Sequence, residues 1–300
     1  MRSHDFRVDV ASAAGLRAAA HVAATLHLPD VLQEGAELPL LFCLHGGGYR
    51  RIYWDLPFGS QGDYSFARYF TGRNKAVLAI DLLGMGESSQ PDPESELSRL
   101  QIAAASARAL QYAVGALRDG TWARASQVSV TGVGHSIGGM MIITQAAGHE
   151  GLDRVAVLGW ANQPMVLGDT DPATLRADLI PSGYLPSPRQ ALRKLFYLPD
   201  VAASLIEADE ALGTRTPSCL GRDALTPGIV HGAAAQIRVP VMVVHGMVDT
   251  SPDPHGEMAY FKGSTQLALN VLEGSAHCHN LATTRRLHWQ RLDRWIDSLS

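Results

Sequence analysis

A run of six residues, Gly134-His135-Ser136-Ile137-Gly138-Gly139, sets the tightest condition on how this chain can fold. An apolar, β-branched stretch at 127–131 precedes it, and a helix-forming stretch at 140–147 follows it. A strand that passes into a helix over so few residues must turn sharply. The two elements then crowd together, which leaves no room for side chains at Gly134 and Gly138. A serine at the apex of such a turn is held in a strained conformation, with its Oγ clear of the sheet. The helix N-terminus behind it offers unpaired N–H groups and the positive end of a dipole. Ser136 is therefore the candidate nucleophile. An incidental serine in a glycine turn would not need both flanking elements.

The rest of the chain fits a strand–turn–helix unit repeated many times. Short Val/Ile/Leu-rich runs at 39–44, 76–80, 127–131, 155–159, 241–245 and 266–272 read as buried strands. Helix-period segments between them predict a mostly parallel sheet covered by helices, an α/β fold. Weaker strands at 6–10 and 18–28 predict an antiparallel hairpin at the sheet edge. Leu97, Leu100, Ala103, Ala104, Ala107, Leu110, Val114 and Leu117 fall on one helical stripe; Leu287, Leu292, Trp295, Ile296 and Leu299 fall on another. Both stripes are expected to face the core. From 161 to 238 the alternation stops, prolines are frequent from Pro164 to Pro227, and short helical patterns at 190–197 and 201–212 stand without a strand. This interval reads as a helical insertion, with 1–160 and 239–300 as the core domain.

A serine hydroxyl needs a base, and the base needs an orienting carboxylate. In the order Ser, acid, His, both must follow Ser136. The strand at 241–245 runs into a turn that carries Asp249, which puts this acid at the carboxyl edge where ligands bind in open α/β sheets. Asp253, between Pro252 and Pro254, is the rival and lies further from the strand end. His277, in Gly274-Ser275-Ala276-His277 after the strand at 266–272, is the candidate base, with His279 the alternative. His277 and His279 without a nearby third ligand are weak evidence for a metal, and none is expected. His135 reads as a packing residue that the turn points away from Ser136.

Leu44-His45-Gly46-Gly47-Gly48-Tyr49 ends the first strong strand. Consecutive glycines let backbone amides approach a substrate without side chains in the way. An N–H from Gly47 or Gly48, paired with that of Ile137, would form an oxyanion hole.

Composition excludes several other classes. In a chain of 300 residues with 46% hydrophobic residues, 18% charged residues and a net charge of −4, no basic face is available for nucleic acid or acidic membrane. Cys43, Cys219 and Cys278 form no CxxC pair or disulfide framework, so a reducing, cytoplasmic setting is expected. The start, Met1 to Arg7, lacks the apolar core of a signal peptide, and the apolar runs are too short or interrupted to span a bilayer.

Taken together, these motifs resemble the α/β-hydrolase family over nearly the whole chain. Asp81-Leu82-Leu83-Gly84-Met85-Gly86-Glu87-Ser88 is similar to the family's structural D-x-x-G-x-G-x-S turn, so Asp81 and Ser88 are not expected to be catalytic. The resemblance implies a helical cap over 161–238. Ser136 disfavours the members with an Asp nucleophile, and Gly134-His135-Ser136-Ile137-Gly138 differs from the Gly-Asp-Ser-Ala-Gly elbow of hormone-sensitive-lipase-like esterases. The expected function is hydrolysis of an ester or lactone of a small hydrophobic substrate through an acyl-enzyme, without cofactor. Tyr49, Tyr53, Trp54 and Phe58 after the glycine loop, and Trp160 to Met165 at the cap entrance, are candidates for the substrate wall. Acyl transfer, carbon–carbon hydrolysis on the same triad and a non-catalytic small-molecule receptor remain alternatives, and a homodimer is left open.

Overall fold

The computed structural model describes residues 1–32, 35–60, 62–179 and 183–299. Strands β1 (Arg2–Asp9), β2 (His21–Leu28), β3 (Glu37–Leu44), β4 (Ala76–Ile80), β5 (Gln127–His135) and β6 (Arg154–Leu158) precede a long excursion. The excursion contains short strands β7 (Tyr184–Pro186) and β8 (Arg215–Pro217), after which the chain returns to the main sheet with β9 (Val241–Val248) and β10 (Leu267–Ala276). The helices in chain order are α1 (Phe66–Thr71), α2 (Arg99–Asp119), α3 (Ile137–Gly148), α4 (Pro172–Asp178), α5 (Arg193–Phe196), α6 (Ala203–Glu210), α7 (Ser218–Ala224), α8 (His231–Gln236) and α9 (Arg285–Asp297).

Eight strands form one sheet in the order β1-β2-β4-β3-β5-β6-β9-β10. β2 runs antiparallel to β1 and β4, and the remaining pairings are parallel. The expected edge hairpin and parallel centre are therefore both present.

The central strands β3, β4, β5 and β6 are buried along most of their length and largely apolar, because both of their faces are covered. Leu40, Phe42 and Leu44 of β3 belong to one buried cluster with α2 and α3 residues such as Ile102, Ala109 and Met140. Leu41 and Cys43 point the other way, into a cluster with Phe66 and Phe70 of α1 and Trp289, Leu292 and Ile296 of α9. Each fully buried side chain of this size contributes roughly 1.5–3 kcal/mol.

Three expectations are corrected. Leu100 is 64% exposed and Leu287 41% exposed, so neither faces the core. In α2 the expected Ala103, Ala107, Leu110 and Leu117 are buried, and the buried face extends through Ile102, Ser106, Ala109 and Ala113, whose mostly small side chains let α3 pack closely. In α9 the buried residues are His288, Trp289, Leu292 and Ile296, and the helix ends before Leu299. The excursion between β6 and β9 does contain strands: β7 and β8 pair antiparallel through Tyr184–Pro217, Leu185–Thr216 and Pro186–Arg215. Strands of three residues, each ending in proline, are too short to carry a readable alternation.

Among the described residues, no helix is long and apolar enough to cross a membrane.

Candidate functional site

Ser136 sits between the end of β5 and the start of α3, with φ 55° and ψ −123°. Backbone of this kind costs a non-glycine residue on the order of 1–3 kcal/mol and persists only where its surroundings impose it. Here the Ser136 N–H donates to the Leu158 carbonyl of β6 at 2.8 Å, which pins the turn to the neighbouring strand. A Cβ on Gly134 would lie 2.1 Å from the Gly138 carbonyl oxygen, and one on Gly138 would lie 2.2 Å from the Leu44 carbonyl oxygen. The glycines of the motif are thus required by backbone crowding.

Asp249 follows β9 at the same edge. Its Oδ1 accepts from His277 Nδ1 at 2.6 Å and from the Thr250 N–H at 2.8 Å. Its Oδ2 accepts from the Gly246 N–H at 2.7 Å and from His279 Nε2 at 2.9 Å. Burial alone would raise this carboxyl, but the charge of His277 and the imidazoles of His245, His277 and His279 hold it well below the usual carboxylate range. Asp253 is exposed, and among the described residues its carboxylate accepts from the His255 backbone N–H and from no imidazole.

His277 and Ser136 line one cavity; His279 does not. His279 and His135 are buried, and burial, with neighbouring imidazoles adding to it, lowers both below the ordinary histidine value. His135 donates from Nε2 to the His277 carbonyl at 2.7 Å and stacks on Tyr53, so it packs beneath the site. Gly159, at the end of β6, makes the room: a Cβ there would lie 3.0 Å from the His277 ring and 3.3 Å from Asp249 Oδ1.

Of the amides considered, that of Ile137 is the first in α3 and has no carbonyl to meet within the helix. The Gly47 N–H has no hydrogen-bond partner among the described residues, and Gly47 lines the cavity. Gly48 differs from the expectation, because its N–H donates to Thr216 Oγ1 at 2.8 Å and is not available. His45 stiffens the loop from below, accepting from the Leu82 N–H at 3.2 Å and donating to the Gly46 carbonyl at 2.9 Å.

The cavity encloses about 130 Å³. Its floor is Gly47, Ser136, Ile137, Trp160, Thr250 and His277, and its walls come from the excursion, among them Leu175, Leu185, Leu195, Phe196 and Leu225. Of the aromatic and apolar candidates, Trp160 and Met165 line it. Tyr49 and Trp54 do not. Tyr49 turns its hydroxyl to Asp209 at 2.6 Å, and Trp54 is fully buried against Phe66. Tyr53 and Phe58 likewise stand outside it.

The Asp81 turn has the structural role expected of it. Asp81 accepts from the Arg51 and Glu87 amides, and a Cβ on Gly86 would lie 2.4 Å from its carboxyl group. Among the described residues, no group of three or more His, Cys, Asp and Glu is disposed to hold a metal ion.

Sequence reasoning did not find Gly159, Thr216, Thr250 or the buried Arg189–Asp209 pair. Their roles depend on contacts between distant segments, and only the strand-end positions of Gly159 and Thr250 gave any local signal.

A family model described as alpha/beta hydrolase family matches residues 41–287. No curated protein matches the chain by sequence. Among solved structures, a soluble variant of monoglyceride lipase from Saccharomyces cerevisiae, in complex with a substrate analog, aligns with a TM-score of 0.71 at 13% identity, covering 99% of this chain and 95% of that one. A thermophilic esterase from Thermogutta terrifontis aligns with a TM-score of 0.62 at 16% identity over 98% of both chains. A proline iminopeptidase from Mycobacterium smegmatis aligns with a TM-score of 0.61 at 17% identity, over 99% of this chain and 100% of that one. At such identities the likeness is one of fold, and the three names span more than one kind of scissile bond.

Proposed function

Since this chain belongs to the alpha/beta hydrolase family, we propose that it is a serine hydrolase that cleaves an ester-type bond, a carboxylic ester or lactone, of a small neutral hydrophobic substrate. The observation that carries this reading is the strained Ser136 on the floor of an apolar cavity shared with His277, whose Nδ1 donates to a buried Asp249.

Ser136 Oγ attacks the acyl carbon while His277 Nε2 takes its proton. Asp249 keeps the other imidazole proton on Nδ1 and stabilises the imidazolium. The carbonyl oxygen becomes an oxyanion that accepts from the Ile137 and Gly47 amides, aided by the N-terminal end of α3. As the tetrahedral intermediate collapses, His277 hands its proton to the departing alkoxide and an acyl-Ser136 remains. Water then attacks with His277 as base; the second collapse frees the carboxylic acid and returns the proton to Ser136. No cofactor enters these steps.

The segment from 161 to 238 acts as a cap in this reading, because it supplies most of the apolar wall. We assign the chain to a reducing, cytoplasmic setting on the strength of three free and buried cysteines.

The test is to label the purified chain with a fluorophosphonate beside Ser136→Ala, then to measure hydrolysis of p-nitrophenyl esters of increasing length. Labelling that the substitution abolishes, with turnover of a short or medium ester, is the expected result. A folded native chain that takes no label overturns the proposal.

A further inference from the structure

The glycine loop is gripped from outside the sheet. Gly48 has φ 70°, and both of its backbone polar groups are taken by the strand β8 region: the N–H by Thr216 Oγ1 at 2.8 Å, the carbonyl by the Thr214 N–H at 3.0 Å. A Cβ on Gly48 would lie 2.3 Å from Ser187 Cβ, so the chain after β7 closes directly over it. The next residue is anchored to the same segment: Tyr49 donates its hydroxyl to Asp209 at 2.6 Å and accepts from Arg189 Nη2 at 2.8 Å. The loop carrying the base leans on this segment too, with the His277 N–H donating to the Leu195 carbonyl at 3.0 Å and the Cys278 N–H to the Phe196 carbonyl at 3.1 Å.

The Gly47–Gly48 peptide has little intrinsic stiffness, because glycine samples a wide range of backbone angles. Fixing its N–H fixes the plane that adjoins the Gly47 amide. The group that does so is a side-chain hydroxyl on a three-residue strand, itself at the wall of the cavity. An oxyanion donor is useful only if it is preorganised toward the developing charge.

We propose that Thr216 is a positioning residue. Its hydroxyl holds the Gly47 amide toward the oxyanion, so the oxyanion site is complete only while the β7–β8 pair is seated on the glycine loop. The proposal rests on the serine-hydrolase reading above.

Thr216→Val keeps the shape of the side chain and removes the hydroxyl; Thr216→Ser restores it. Both are compared with the native chain on p-nitrophenyl butyrate and on inhibition by butylboronic acid, which forms a tetrahedral adduct with an activated serine. Misplacing a reacting or stabilising group by about 1 Å can cost on the order of a hundredfold. The valine variant is accordingly expected to lose roughly ten- to hundredfold in kcat with little change in KM. Its boronate inhibition constant should rise in parallel, and serine should recover most of both. A valine variant with native kcat, or with a change in KM alone, reduces Thr216 to a wall residue and overturns the proposal. Equal losses in valine and serine variants, accompanied by a lower Tm, assign the effect to packing and overturn it as well. Fluorophosphonate labelling of the native chain separates the two levels: without it the hydrolase reading itself falls, whereas a labelled native chain with a fully active valine variant removes only the role of Thr216.

Discussion

His279 Nε2 donates to Asp249 Oδ2 at 2.9 Å, on the carboxylate oxygen opposite the one that receives His277 Nδ1 at 2.6 Å. Two histidines that competed for one role in the sequence thus occupy two positions on one carboxylate. His279 Nδ1 is buried without a partner among the described residues, so the proton of this imidazole resides on Nε2. Gripped from both sides, Asp249 has its plane fixed relative to His277. His279→Phe should therefore cost about 1.5–3 kcal/mol of stability, the usual worth of a hydrogen bond to a charged group. It should also lower kcat by about tenfold, roughly 1.4 kcal/mol of transition-state free energy. His277→Ala should be far more damaging to turnover. Denaturant titration and ester kinetics measure both effects, and the reverse ranking would exchange the roles of the two histidines.

Ser136 and His277 act as a unit in the proposed mechanism, so their losses should not add. Ser136→Ala and His277→Ala are each expected to reduce kcat by about 10⁴-fold or more, and the double variant should be no slower than the worse single one. Additive losses, found by measuring all three against p-nitrophenyl butyrate, would mean that the two side chains serve separate steps.

The sequence disclosed those parts of the site whose constraint is local. Ser136 was legible because strand, glycine turn and helix all lie within one short stretch. Asp249 could be preferred over Asp253 because strand ends place side chains at the ligand edge. Tyr49 and Trp54 misled for the complementary reason: an aromatic residue just beyond a strand end carries no mark of which side of the loop it will face. Tyr49 faces Asp209, 160 positions away. Gly48 was open to the same error, since nothing near it in sequence announces the Thr216 hydroxyl that takes its amide. The pair β7–β8 escaped notice because three residues do not make a period.

Substrate charge offers a test that needs no mutation. Apart from His277, the described residues lining the cavity include no ionisable side chain, and their polar groups are few. A carboxylate carried into such a wall would lose hydration without finding a cation, a cost of several kcal/mol. The mono-p-nitrophenyl ester of succinic acid should thus show kcat/KM at least about a hundredfold below that of p-nitrophenyl butyrate. Comparable values would mean that the acyl group does not enter this cavity.

Acid should destabilise the fold earlier than carboxylate titration alone would. His27, His45, His135, His279 and His288 all lie below the ordinary histidine value of 6.5, chiefly because burial disfavours their charged forms. Between each lowered value and 6.5 the unfolded chain binds the proton and the folded chain does not. Stability therefore rises with pH in that window and is lost as pH falls below 6.5. Asp249 contributes in a separate, more acidic range. Its depressed carboxyl stabilises the fold above the ordinary value of 3.8, and that contribution disappears as pH falls through the folded value. Unfolding free energy from urea titrations should accordingly be nearly flat above pH 7.5 and decline steadily from about 6.5 to 5, each buried histidine adding up to about 1.4 kcal/mol per pH unit. His288 provides the internal control, since both of its ring nitrogens are buried without hydrogen-bond partners among the described residues and it lies outside the cavity. His288→Leu should remove one proton's worth of slope between pH 5 and 6.5 while leaving the rest. An unchanged slope would mean that His288 keeps its ordinary affinity for protons in the folded chain, and the acid sensitivity would then have to arise elsewhere.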